Sequence, residues 1–195
     1  DYPNERPPHQ VPVRGFSLAE YPVTNAAYST FVESTGHRSP RGWRRGRCAP
    51  DAANKPVVFV AVADAFAYCE WLSSETGFHY RLPTDAEWVL AARGPDADRQ
   101  FPWGGVYKPL HANCWGESPA KELCAVGLFT AGAGPFGHHD LAGNVWEWCS
   151  SLCWPYPYNS IDGREDPDPG GGIRVMHGGS WRSKPGSIRC AARQG

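Results

Sequence analysis

The sequence predicts an α+β fold, rich in loops, with about three helices and a small sheet. Three segments carry helical periodicity and end in capping residues. Four short apolar runs read as strands. The 22 Gly and 19 Pro are scattered among nine Trp, eight Tyr and eight Phe, so loop formers are interleaved with aromatic anchors rather than gathered into a disordered stretch. Short strands, a few helices and much irregular backbone make α+β the expected class.

The first helix is expected over residues 24–35. Thr24 caps it, Ala27, Tyr28, Phe31 and Val32 form its apolar stripe, and Gly36 stops it. The second, over 62–76, places Ala65, Phe66, Cys69 and Leu72 at three- and four-residue steps and ends at Gly77. The third, over 84–93, opens on Thr84-Asp85-Ala86-Glu87, whose spacing is that of a capping box, and ends near Gly94. Strands are expected over Val11–Phe16, Val57–Val60, Asn144–Cys149 and Val175–Ser180. The stretch Asp162–Gly172 reads as one long acidic surface loop.

At 195 residues the chain fits one domain, residues 1–195, large enough to bury a core without disulfides. The formal net charge is -1, which gives no long-range field towards nucleic acid or an anionic membrane. One basic run, Arg38, Arg41, Arg44, Arg45 and Arg47, reads as a solvated loop. No apolar run reaches the roughly 18 residues of a bilayer span, because Asp64 interrupts the longest. Nor does an apolar signal segment follow Asp1. Seven cysteines cannot all pair within the chain, and neither Cys149 with Cys153 nor Cys114 with Cys124 repeats the spacing of a four-ligand zinc site. Cys69 reads as a small apolar residue on its helix.

Four blocks resemble the formylglycine-generating enzyme (sulfatase-modifying factor) family. They are Tyr21-Pro22-Val23-Thr24-Asn25, Arg81-Leu82-Pro83-Thr84-Asp85-Ala86-Glu87-Trp88, Gly143-Asn144-Val145-Trp146-Glu147-Trp148-Cys149, and Gly178-Gly179-Ser180-Trp181 with Arg189-Cys190-Ala191-Ala192-Arg193. The resemblance implies a C-type-lectin-like fold in which two helices flank a small twisted sheet and the C-terminal half is mostly loop. That fold carries copper oxidases, iron enzymes and non-catalytic binding proteins alike. The family's chains usually run on to a closing Gly-Phe-Arg strand, which is expected to be missing or replaced here.

On an extended segment Trp146 and Trp148 share one face and Glu147 takes the other. Asp140, just before the Gly143 turn, brings a second carboxylate, and calcium favours six to eight oxygens from carboxylates and carbonyls. By resemblance, the Asp140 and Glu147 side chains with the Gly143 and Val145 carbonyls match a calcium site. The plainer alternative has Asn144 and Asp140 satisfying loop amides and Glu147 pairing with an arginine. A second calcium site is half matched by Asn113 and the Cys114 carbonyl, with Glu117 or Glu122 standing in for its acidic ligand.

No copper is expected. The resemblance places the family's Cu(I) thiolate pair on Pro185 and Cys190, and proline has no ligand atom, so Cys190 reads as a packed thiol. His138, His139 and Asp140 have the composition of an iron facial triad, but adjacent residues point apart. The iron-dependent sulfoxide synthases that share this domain draw their histidines from an N-terminal helical domain with no counterpart in these residues. No nucleophile elbow supports a hydrolase, and His9, His37, His79, His111 and His177 stand isolated.

What remains is a binding surface. Residues 182–188 have neither helix nor strand periodicity and lie between the Gly178–Trp181 turn and the Arg189-Cys190 segment, an arrangement that resembles the variable proteins of diversity-generating retroelements; the plainer alternative is an ordinary surface loop. The expected function is a non-catalytic domain that takes a protein or small-molecule ligand on Trp181, Arg182, Ser183, Lys184, Gly186, Ser187 and Ile188, joined by Gln194. The alternative is a copper or iron oxidoreductase of the same family.

Overall fold

A computed structural model of the chain describes residues 2–116, 121–166 and 171–195. Its helices are α1 (Asn25–Thr35), α2 (Val62–Thr76) and α3 (Asp85–Arg93), within a residue or so of expectation because the capping signals are local. Thr24 Oγ1 accepts the Ala27 amide, and Thr84 and Glu87 form the reciprocal capping box. Gly36 and Gly77 end their helices in the left-handed region.

The sheet has three antiparallel strands in the order β1 (Glu147–Leu152), β2 (Arg174–His177) and β3 (Arg193–Gln194). Glu147 pairs with His177, Trp148 with Met176, and Met176 with Gln194. Strand expectations fared less well than helices. Val11–Phe16 stays unpaired, with Pro12 inside it, and Val57–Val60 is interrupted at Phe59, whose φ is 61°. Asn144, at φ 60°, cannot begin a strand, so β1 starts at Glu147. β2 stops at His177 because Gly178 and Gly179 both turn to positive φ. β3, no more than a motif in the sequence, is the sheet's third strand.

Three apolar clusters form the interior. α3 packs on β1 and β2 around Trp88, Ala91, Ala92, Leu141, Cys149, Val175 and Cys190. A second cluster joins Phe101, Ala112, Cys114, Ala142 and Ile188. A third, between α1 and α2, stacks Tyr28, Phe31 and Tyr68 with Trp43 and Trp71 at its edge. All seven cysteines are free thiols. Among the described residues no helix is long and apolar enough to cross a membrane.

The 162–172 stretch is not wholly a surface loop. Arg164 is buried, ion-paired to Asp162 at 2.8 Å, and its carbonyl accepts the Leu152 amide. Positions 167–170 of that stretch lie outside the described residues, as does Glu117.

Candidate functional site

Backbone hydrogen bonds stitch three loops together beside β1. Asn144 N donates to Asn113 O at 2.8 Å, Gly143 N to Gly178 O at 2.7 Å, and Trp181 N to Asn144 O at 3.1 Å. Gly143 is obligatory here: at φ 79° a Cβ would run into the Asn113 carbonyl. The fully buried Asn144 side chain completes the junction, its Oδ1 accepting Asn113 Nδ2 at 3.0 Å and Cys124 N at 3.2 Å.

Asp140 and Glu147 stand at this junction. Asp140 Oδ2 accepts the Gly127 amide at 2.6 Å, and burial raises its carboxyl above the ordinary range despite that bond. Glu147 Oε2 accepts Trp88 Nε1 at 3.0 Å, while Oε1 is closed to solvent without a partner. Burial first, and the neighbouring Asp140 charge second, push the Glu147 carboxyl up to about 8. The plainer alternative therefore holds in part: Asn144 and Asp140 do satisfy loop amides, but Glu147 meets a tryptophan rather than an arginine. Asn113 Oδ1 is likewise buried and unpartnered. Glu122 does not complete Asn113's surroundings with its carboxylate, which lies mostly exposed 3.5 Å from Lys55 Nζ; its carbonyl accepts Asn113 Nδ2 instead.

The redox alternatives find little support in the donor sets. Pro185 opens a 3₁₀ turn, and Cys190 is 1% exposed in the core, its thiol pushed up to about 12 by burial. These residues do not fit a two-thiolate copper ion. His138 lines a cleft with Phe16, Leu90 and Phe136, whereas the ring of His139 stacks on Tyr21 at 5.1 Å. Among the described residues no three His, Cys, Asp or Glu side chains gather as metal ligands.

The 181–187 loop is tied through its backbone and exposes Arg182, Lys184 and Gly186. Ser183 O accepts Trp115 N at 2.9 Å, and Ser183 Oγ accepts Ser180 N at 2.9 Å. The Arg182 guanidinium lies 4.5 Å from the centroid of the Trp181 ring. Lys184 and Gly186 are exposed, and the Ser187 hydroxyl reaches Tyr2. Trp115, 60% exposed, flanks the loop and had no signal in the sequence. Gln194 is exposed on β3, with no side-chain hydrogen bond to the loop among the described residues. Ile188 corrects the expected contact set: it is 0% exposed and packs with Phe101, Ala112, Cys114 and Ala142. An apolar side chain closing an otherwise polar loop is its anchor rather than its contact surface.

Behind the junction lies a buried ionic cluster that sequence reasoning missed. Asp85 receives Tyr156 Oη at 2.9 Å, stands 2.8 Å from His177 Nε2 and 3.4 Å from Arg193 Nη1, and its own amide donates to Ser151 Oγ. Burial opposes its charge, yet the His177 hydrogen bond and the His177 and Arg193 charges outweigh it, so the carboxyl lies below the ordinary range. The only sequence signal was its place beside the capping box.

The sulfatase-modifying factor enzyme 1-like domain family matches residues 2–195. A hercynine oxygenase of Mycolicibacterium smegmatis is 33% identical over 97% of this chain and 51% of that protein. The formylglycine-generating enzyme of Mycobacterium tuberculosis is 34% identical over 83% of this chain and 71% of that protein. This chain thus spans about half the length of the hercynine oxygenases it matches. Treponema denticola variable protein 1 superimposes with a TM-score of 0.67 at 22% identity, over 90% of this chain and 76% of that one, which is a likeness of fold. The chain belongs to the sulfatase-modifying factor enzyme 1-like domain family.

Proposed function

We propose that this chain is a non-catalytic ligand-binding domain that displays its 181–187 loop, with Trp115 beside it, in the manner of the variable proteins of diversity-generating retroelements. The observation that carries the reading is the loop's construction. Its backbone is held by the Asn144–Trp181 and Trp115–Ser183 hydrogen bonds, while Arg182 stacks on Trp181 and Lys184 projects outwards. A loop already ordered loses little entropy on binding, and Arg and Trp are the residues in which interface energy concentrates. The fold likeness to a variable protein supports the same reading.

Calcium is proposed as its structural ion. Asp140, Glu147 and the Gly143 and Val145 carbonyls would hold it, and Asn113 Oδ1 with the Cys114 carbonyl would contribute to a second site. The unpartnered Glu147 Oε1 and Asn113 Oδ1 support this, since buried oxygens without partners are costly and a hard cation relieves them. When bound, the ion would neutralise Asp140 and Glu147 and fix the junction that carries Trp181.

Selection of ligands from a displayed random-peptide library tests the function. Peptides recovered on the parent domain are expected to fail on the triple variant Arg182→Ala, Lys184→Ala, Ser187→Ala, with its melting temperature unchanged. Equal binding to both proteins would overturn the loop as the contact surface.

A metal-dependent oxidoreductase is the second reading. It is favoured by the unpartnered, buried Nδ1 atoms of His138 and His139 and by the names of the enzyme relatives. Metal analysis of the full-length protein, loaded with iron or copper and washed, separates the two readings: stoichiometric retention lost in His138→Ala supports the oxidoreductase.

A further inference from the structure

The α1–α2 lobe carries a cleft of about 490 Å³, within the size range of small-molecule sites, lined by Tyr28, Arg38, Ser39, Arg41, Phe59 and Asp64 among others. We infer that it is a binding site for a small organic anion, an oxyanion group joined to an aromatic or apolar body.

Two arginines of the lining have no ion-pair partner among the described residues. Five of the chain's 19 Lys and Arg residues lie between positions 38 and 47. Within that run only Arg47 has an ion-pair partner among the described residues, Glu33 at 3.9 Å. Arg38 and Arg41, the two that line the cleft, have none. Asp64, also in the lining, forms no ion pair with either: its Oδ1 meets His37 Nε2 at 2.9 Å and its Oδ2 accepts the Ala61 amide at 2.8 Å. Two guanidiniums beside a hydroxyl are donors suited to a phosphate or carboxylate.

The floor holds an unspent donor. Tyr28 is 2% exposed, and its hydroxyl is buried without a hydrogen-bond partner among the described residues, a cost that an acceptor reaching it from the cleft would remove. Burial holds this phenol up to about 12, so it keeps its proton across the physiological range.

Phe59 supplies the apolar face. It adopts φ 61°, a conformation that aromatic residues rarely take, and presents a ring that is 71% exposed. Strained backbone clusters at ligand clamps and active sites, and Phe59 lines this cleft. The site requires no residue of the 181–187 loop, so it stands or falls independently of the proposed display function.

An NMR titration of the whole chain with inorganic phosphate, phenyl phosphate and benzoate tests the site, followed at the Arg38 and Arg41 Nε–H signals and the Phe59 amide. Phenyl phosphate is expected to bind saturably and more tightly than inorganic phosphate, which lacks the ring, or benzoate, which carries less charge. Arg38→Ala with Arg41→Ala should abolish saturation, Tyr28→Phe should weaken it about tenfold, and Phe59→Ala should erase the preference for the ring. These substitutions leave most of the packing in place, and melting temperatures that do not fall would confirm that. The site is overturned by absence of saturation up to roughly 10 mM ligand, by binding unaltered in the arginine or tyrosine variants, or by equal response to all three anions, which would indicate an adventitious ion only.

Discussion

Trp88 holds Glu147 from beneath: its indole Nε1 donates to Glu147 Oε2 at 3.0 Å while its ring lies flat on His177, centroids 4.5 Å apart. One fully buried side chain of α3 thereby joins the oxygen-rich junction to the ionic cluster on the same face of the sheet, where His177 is the strand partner of Glu147. Glu147 Oε1 is left without a partner.

Chelation is expected to lower the melting temperature and added calcium to raise it, because an ion bound only to the folded state stabilises it by linkage. The effect reaches about 2.7 kcal/mol at a hundredfold excess over Kd. Asp140→Asn with Glu147→Gln should remove the response. A melting curve indifferent to chelator in the parent protein refutes the site.

Formylglycine-generating activity is expected to be absent. Incubation with Cu(I), oxygen and a sulfatase-motif peptide should leave the substrate cysteine unmodified by mass spectrometry, since Cys190 is buried and Pro185 offers no thiolate. Turnover would mean that another of the free cysteines binds the ion.

Ile188→Ala should destabilise the domain by about 2 to 5 kcal/mol, the usual cost of truncating a buried aliphatic side chain. Arg182→Ala or Lys184→Ala should stay within about 0.5 kcal/mol. Denaturant unfolding distinguishes these. A surface-like value for Ile188 would return it to the contact set.

Acid should unfold the protein partly through Asp85. Its folded carboxyl titrates below the ordinary value near 4, so the unfolded chain binds the proton first as pH falls. The stability Asp85 contributes is present above pH 4 or so and disappears as pH drops towards its lower folded value. Asp85→Asn should cost about 3 to 5 kcal/mol at neutral pH by leaving Arg193 buried without its counter-charge. It should also flatten the acid limb of a stability–pH curve. An unaltered acid limb would place the acid sensitivity elsewhere.

The helices were legible because their signals are local. Thr24, Thr84 and Glu87 cap within three residues of themselves, and Gly36 and Gly77 stop α1 and α2 through their own φ angles. Strands were less so, since a strand exists only where a partner lies alongside. Val11–Phe16 has strand composition but no strand partner among the described residues, whereas Arg193–Gln194 has little composition and does pair. Within the candidate site, Gly143, Asp140 and Glu147 were readable as a motif. Trp115 and the Asp85 cluster were not, because their neighbours come from distant segments.

By itself the sequence determined the fold class, the three helices, the family blocks and the proline at position 185. Each follows from residue identity or from spacing within a few positions. Tertiary structure alone decided that Ile188 anchors the loop rather than contacting a ligand, that Glu147 meets Trp88 rather than an arginine, and that Arg38, Arg41 and Tyr28 line one cleft. Burial and ion pairing depend on what distant parts of the chain place nearby, and side-chain identity carries no record of that.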